Sequence, residues 1–112
     1  KLNLQVDKVE LALDQAIPCG LILNELVTNS LKYAYPNKEG GEITISVKEI
    51  DSKVHVLVKD FGIGLPQDFK IEESDSLGLS LVDTLIDQLD GELILKTESG
   101  TEFLIIFEKQ EI

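Results

Sequence analysis

Two stretches of the chain place apolar residues three and four positions apart, a spacing that predicts helices burying one stripe. The first helix is predicted over residues 14–35, with Pro18 in its first turn and Pro36 at its end. Its expected buried positions are Ala16, Cys19, Leu23, Leu26, Val27, Ser30 and Ala34. The second helix is predicted to begin after Ser76 as N-cap and to end at Gly91 as a left-handed cap. Its expected buried positions are Leu81, Val82, Leu85, Ile86 and Leu89.

Elsewhere apolar and polar residues alternate, which predicts strands. Four such strands are expected at residues 42–50, 53–60, 92–97 and 102–108. Residues 51–52 and 98–101 would close them as two hairpins, and residues 3–6 and 9–12 predict a small edge hairpin. Residues 61–76 follow neither period and predict a loop. Strands grouped in hairpins with two helices on one face predict an α+β two-layer sandwich.

Composition adds limits on size and partners. The chain has 112 residues, enough for one domain over residues 1–112, and we expect it to be a piece of a longer protein. Its net charge of -11 argues against nucleic acid or an anionic membrane as a partner, and no apolar run approaches a membrane span. A polyanionic nucleotide would be repelled too, unless a divalent cation and a local basic group reverse the field. The single cysteine, Cys19, predicts an inert buried thiol in a reducing compartment.

One face of the first predicted helix carries varied chemistry. Glu25, Asn29, Lys32 and Tyr33 fall within an arc of about 100°, which we expect to lie opposite the buried stripe. A carboxylate, an amide, an ammonium and a phenol would therefore share this face. The spacing alone fits a solvated polar face as well as a binding site.

Three further segments combine glycines with polar groups. Residues 60–66 (DFGIGLP) follow a strand and fit either a turn or a carboxylate beside backbone that a flat ring can approach. In residues 76–82 (SLGLSLV), Gly78 in a first helical turn costs up to ~1 kcal/mol, which close packing or phosphate binding at the helix N-terminus would explain. Residues 100–103 (GTEF) predict a hairpin turn. His55 is expected to point away from the core.

Together and in this order, residues 24–33 (NELVTNSLKY) and these three segments resemble the N box and glycine boxes of the GHKL ATPases. That superfamily holds gyrases, heat-shock chaperones, histidine kinases and mismatch-repair ATPases. Residues 14–18 (DQAIP), residues 21–26 (LILNEL) and the SLG start look most like sensor histidine kinases of the second dimerisation-domain type. The resemblance implies a Bergerat-type ATP-binding fold, a mostly antiparallel mixed sheet with helices on one face.

The resemblance also implies a function. An ATP-binding catalytic domain of this kind binds Mg·ATP and donates the γ-phosphate to a histidine on a separate dimerisation domain of the same protein, with a response regulator as indirect partner. It would be cytoplasmic, within a soluble or membrane-anchored protein. Two alternatives stay open: a serine kinase of the same superfamily that regulates a transcription factor, and a non-catalytic interaction module of the same fold.

Four helix positions take roles from the resemblance. Asn29 matches the Mg²⁺ ligand, and Glu25 matches the general base of the hydrolytic members. Lys32 matches a basic residue at the phosphates, and Tyr33 matches a residue that packs against adenine.

The remaining positions lie on the three glycine segments. Asp60 matches the acceptor of the adenine amino group, and Gly62 and Gly64 shape the slot for the ring. Gly78 would lie at the phosphates and Thr101 beside the base.

Two positions depart from the pattern. Many histidine kinases have glycine where this chain has Ser76, which could cap the helix instead. His55 lies on a predicted strand and does not match the phosphoacceptor histidine, which the family carries on a helix of another domain.

Overall fold

In a computed structural model of the chain, the described residues are 2–30, 42–61, 77–97 and 100–110. They form five strands and two helices in mixed order. The elements are β1 (Leu2–Val6), α1 (Leu13–Asn29), β2 (Ile43–Ile50), β3 (Lys53–Asp60), α2 (Leu77–Gln88), β4 (Glu92–Lys96) and β5 (Thr101–Glu108). Neither helix in this part of the chain is long and apolar enough to cross a membrane.

The strands form one sheet in the order β1-β2-β3-β5-β4. β1 pairs with β2 in parallel, and the other three pairs are antiparallel. A parallel pair needs a crossover connection, and α1 lies between β1 and β2 in the chain. The predicted α+β class and the mostly antiparallel mixed sheet are confirmed.

The β2–β3 hairpin is confirmed and the predicted N-terminal hairpin is wrong. Asp51 and Ser52 have φ of 52° and 67°, the positive values that a two-residue type I′ loop requires at both positions. Residues 7–12 form no strand, and Leu4 on β1 lies opposite Ile45 on β2. The alternation in residues 3–6 does mark a strand, but its partner is β2, which follows α1 in the sequence.

The core lies between the two helices and one face of the sheet. Alternate positions of β3 and β5 are buried there: Val54, Val56, Val58, Phe103, Ile105 and Phe107. The helices contribute Cys19, Ile22, Leu26, Val82, Leu85, Ile86 and Leu89 to the same cluster. Because side chains alternate along a strand, Asp60 at the end of β3 lies on the same face as this core.

The buried stripe of α1 is rotated from the predicted one. Its buried residues are Gln15, Pro18, Cys19, Ile22, Leu26 and then Ser30, which follows the helix. Three predicted positions, Ala16, Leu23 and Val27, are only half-buried, and Ala34 lies outside the described residues. Pro18 is the sixth residue of α1, so its predicted place in the first turn is wrong. Proline there removes a bond to the carbonyl of Asp14, and Pro18 is one of the buried residues of the helix.

Ser76, the predicted N-cap, lies outside the described residues; within them the α2 prediction holds except at Leu81 and at the C-terminal cap. Leu81 is 40% exposed, whereas the other four predicted positions are buried. The left-handed residue is Asp90, with φ of 51°, and the N–H of Gly91 donates to the carbonyl of Ile86 at 3.0 Å in a Schellman motif. Glycine suits position 91 for another reason: a Cβ there would lie 3.2 Å from the carbonyl oxygen of Ile106.

Candidate functional site

Asp60 ends β3 as a buried carboxylate that is only 3% exposed. The Ser30 hydroxyl donates to Oδ2 of Asp60 at 3.0 Å. The backbone N–H of Thr101 donates to Oδ1 at 3.2 Å. Each carboxylate oxygen is therefore held by a donor from a different element, and Asp60 is the centre of the site.

The topology brings these donors together from distant parts of the chain. Thr101 begins β5 directly opposite Asp60 in the antiparallel register, and Ser30 directly follows α1. Three of the four segments that the sequence singled out thus meet at one end of the sheet. Both Ser30 and Thr101 are buried, so they contact Asp60 away from water.

Gly100 makes this approach sterically feasible. Its φ is +97°, a conformation that side-chain-bearing residues rarely adopt. A Cβ at Gly100 would lie 2.1 Å from the carbonyl oxygen of Asp60 and 2.8 Å from Cα of Phe61. The sequence predicts a turn glycine here, and the structure adds close contact between this turn and the end of β3.

Ser30 contacts the site carboxylate, although its spacing predicted only a buried position on the first helix. Its small size placed it in the buried stripe of the helix, and it is indeed only 5% exposed. A buried hydroxyl needs a hydrogen-bond partner, and a buried strand-end aspartate needs donors. This mutual requirement was the available signal, but sequence spacing alone does not pair residues 30 positions apart.

Asn29 adds an unsatisfied donor beside this cluster. It is half-buried, and its Nδ2 is buried without a hydrogen-bond partner in the described part of the chain. Asn29 lies seven residues after buried Ile22, hence within about 20° of its direction, so the predicted placement opposite the buried stripe is wrong. Glu25, one turn earlier, is also half-buried.

The residues present fit a magnesium-bound nucleotide. An amide carries both a donor and an acceptor that a half-turn of the group exchanges, so Asn29 suits either a phosphate oxygen or a hard cation. The described residues hold no cluster of three or more His, Cys, Asp or Glu side chains arranged for a metal. Magnesium bound through phosphates and water needs no such cluster.

The other predicted site residues are only partly described. Gly78 is the second residue of α2, within the first turn as predicted, where backbone N–H groups lack intrahelical acceptors. Lys32, Tyr33, Gly62 and Gly64 lie outside the described residues and stay predictions.

The lysine beside Asp60 does not share its face of the sheet. Lys59 alternates with Asp60 along β3, pairs with Glu102 at 3.9 Å and lies 5.0 Å from the centre of the Phe61 ring. Its charge is therefore engaged on the face of the sheet opposite the helices. A cation for phosphates would have to come from elsewhere, and Lys32 is the predicted source.

The structure leaves His55 and Cys19 without a catalytic role, as the sequence predicts. His55 alternates with buried Val54 and Val56 and is half-buried on the sheet face away from the core, as predicted. Cys19 is buried, and desolvation raises the pKa of its thiol above the ordinary value of 9.0. A raised pKa keeps the thiol protonated, which agrees with an inert cysteine.

Comparison with known proteins gives relatives for this arrangement. The chain is 38% identical over 96 residues to the sensor histidine kinase PdtaS of Mycobacterium tuberculosis, a match covering 82% of this chain and 19% of that protein. It is 29% identical over 83 residues to the serine-protein kinase RsbW of Listeria innocua, covering 62% of this chain and 53% of that protein. The chain thus spans only about a fifth of the length of the histidine kinase relative.

A solved structure has the same fold. The histidine kinase domain of the blue-light-activated histidine kinase from Erythrobacter litoralis superposes with a TM-score of 0.89 at 28% identity, covering 97% of this chain and 51% of that one. The family described as histidine kinase-, DNA gyrase B- and HSP90-like ATPase matches residues 14–111, which include the whole site around Asp60. The chain therefore belongs to the histidine kinase-, DNA gyrase B- and HSP90-like ATPases.

Proposed function

We propose that this domain binds Mg·ATP and presents its γ-phosphate to a histidine on a separate dimerisation domain of the same protein. The observation that carries the proposal is the buried Asp60 carboxylate, held by Ser30 and Thr101, with the unsatisfied amide of Asn29 at the adjoining helix end. The similarity to sensor histidine kinases along most of the chain supports the same conclusion.

Asp60 would select the base. An ionised carboxylate only accepts hydrogen bonds, and adenine offers an exocyclic amino group where guanine has a carbonyl oxygen. Such a carboxylate has about four lone-pair sites, and the bonds from Ser30 and Thr101 use one on each oxygen. Adenine nucleotides are therefore preferred. Tyr33, predicted to pack against the ring, would complete this end of the site.

The phosphates would lie toward Asn29 and Gly78. The amide oxygen of Asn29 is a suitable ligand for a hard cation, and free N–H groups at the start of α2 attract phosphate oxygens. When bound, magnesium neutralises charge on the phosphates. With Lys32 it would offset the repulsion expected from a net charge of -11.

The transfer step needs an acceptor from another domain. Phosphoryl transfer depends on positioning and charge stabilisation, so a domain that binds and aims the nucleotide can serve as the catalytic half. Glu25, half-buried one turn before Asn29, would polarise the incoming group. His55 is on the opposite sheet face and is no candidate acceptor. A response regulator would then receive the phosphate from the dimerisation domain.

The test uses radiolabelled Mg·ATP with this domain, alone and with a dimerisation domain carrying the acceptor histidine. We expect no label on this chain and acid-labile label on the added domain. An Asn29→Ala variant should abolish the label, and His55→Gln should leave it unchanged. Acid-labile phosphate on His55 of the isolated chain would contradict the proposal.

The similarity to a serine-protein kinase makes serine the second candidate acceptor. Acid-stable phosphoserine on a supplied protein partner would favour that function over histidine transfer. Absence of any Mg·ADP effect on the melting temperature would instead indicate the non-catalytic interaction module.

A further inference from the structure

The hydroxyl of Ser30 holds one oxygen of a carboxylate whose other oxygen is held by backbone. The two bonds measure 3.0 Å and 3.2 Å and end on Oδ2 and Oδ1 of Asp60 respectively. All three residues are buried, with exposures of 3% for Asp60, 5% for Ser30 and 7% for Thr101. The contact is therefore formed where water competes poorly for the carboxylate.

Two bonds on opposite oxygens restrict a motion that a single bond leaves open. The terminal torsion of an aspartate is broad, so a carboxylate held at one oxygen can turn about its last bond. A second donor on the other oxygen fixes the plane of the group. Of these two donors, Thr101 contributes a backbone N–H that no side-chain change removes, whereas the Ser30 hydroxyl can be removed by substitution.

We propose that Ser30 is a positioning residue that fixes the plane of the Asp60 carboxylate and so sets the preference of the site for a base with an exocyclic amino group. This inference rests on the nucleotide binding proposed above. Ser30 touches the carboxylate and acts on the nucleotide only through it. Loss of a hydroxyl that merely stabilised the fold would lower the affinity for all nucleotides equally, whereas loss of a hydroxyl that orients Asp60 lowers the preference for one base over another.

The experiment compares binding of ADP and inosine diphosphate by calorimetry in excess Mg²⁺. The two ligands carry the same phosphates, and inosine has a carbonyl where adenine has its amino group. We expect Ser30→Ala to lower the affinity for ADP by about tenfold and the affinity for inosine diphosphate by less than about threefold, because only the adenine amino group donates to the oriented carboxylate. The ratio of the two affinities is insensitive to partial unfolding, since both ligands meet the same folded fraction.

Two variants complete the design. Ser30→Thr keeps the hydroxyl and should restore most of the ADP preference. Thr84→Ala removes a helical hydroxyl that bonds the carbonyl of Ser80 at 3.2 Å on the exposed side of α2, and it should leave the preference unchanged. The melting temperature without ligand is measured for each variant.

The wild-type protein is measured first, which separates the two proposals. If it binds no adenine nucleotide, the proposed function fails and this inference fails with it. If it prefers ADP but Ser30→Ala keeps the same preference, whatever its stability, the role of Ser30 is refuted while nucleotide binding stands. Loss of preference in Ser30→Ala with recovery in Ser30→Thr supports the inference.

Discussion

Replacing Gly100 with alanine tests how closely the start of β5 must approach the end of β3. The added Cβ would lie 2.1 Å from the carbonyl oxygen of Asp60 and 2.9 Å from its carbonyl carbon. These are backbone atoms, so no flexible side chain can move away. The φ of +97° also disfavours any residue with a Cβ.

The cost follows from both effects. The backbone conformation alone costs about 1–2 kcal/mol for a residue other than glycine. Moving the Cβ from 2.1 Å to at least 3.0 Å requires a shift of 0.9 Å at Gly100 (3.0 − 2.1), beside the bond from Thr101 to Asp60. That bond is already 3.2 Å long, and losing a bond to a buried charged group costs about 1.5–3 kcal/mol. We therefore expect a loss of about 2.5–5 kcal/mol in the free energy of unfolding, a large part of the ~5–15 kcal/mol that stabilises a typical domain.

Urea unfolding of wild type, Gly100→Ala and Gly20→Ala measures this difference. Gly20 lies on the exposed side of α1, and a Cβ there would meet nothing within 4 Å. Alanine at position 20 should therefore stabilise by about 0.5–1 kcal/mol through helix propensity. The reasoning is refuted if Gly100→Ala stays within about 0.5 kcal/mol of wild type.

Three further predictions concern single side chains. Asp60→Asn should lower the affinity for ADP by at least about tenfold with little change in melting temperature. The new amide nitrogen can donate to the Ser30 hydroxyl, and the amide oxygen can still accept from the Thr101 N–H. Equal affinity of the wild-type protein for ADP and GDP would contradict this prediction. Asn29→Ala should lose Mg²⁺-dependent nucleotide binding in calorimetry at unchanged ligand-free melting temperature, since its Nδ2 has no partner in the described part of the chain; retained affinity would refute the assignment. Burial raises the pKa of the Cys19 thiol, so its contribution to stability is complete below pH 9.0 and falls as the pH rises further, because the thiol of the unfolded chain ionises first. In Cys19→Ala the urea midpoint should therefore decline less steeply above that pH. An equally steep decline in the variant would contradict the prediction.

Local pattern alone determined most of the elements. The two-residue alternation of Val54, Val56 and Val58 placed β3 and its buried face, because the pleat puts every second side chain on one side. Asp51 and Ser52 are residue types common in tight turns, so the sequence also predicted the hairpin loop in which both adopt a positive φ. The residue types and their order along the chain also led to the roles of Asp60 and Asn29, which stay predictions.

Tertiary contacts decided what periodicity could not. β1 pairs with β2 rather than with residues 9–12, because a strand takes its partner from whatever backbone the crossover through α1 brings alongside. The phase of the α1 stripe likewise depends on which helix side meets the sheet, and Ile22 is buried where the sequence favoured Leu23. Several apolar phases are compatible with one amphipathic helix, and packing selects among them.

Tertiary structure also decided the hydrogen bonds within the site. Ser30, Asp60 and Thr101 are far apart in sequence, and each has a satisfactory local interpretation as a small helix residue, a strand end and a hairpin residue. Only the sheet register and the end of α1 place their polar atoms within hydrogen-bonding distance. A sequence specifies which groups are available, whereas the low tolerance of a buried carboxylate for missing donors determines how the folded chain must pair them.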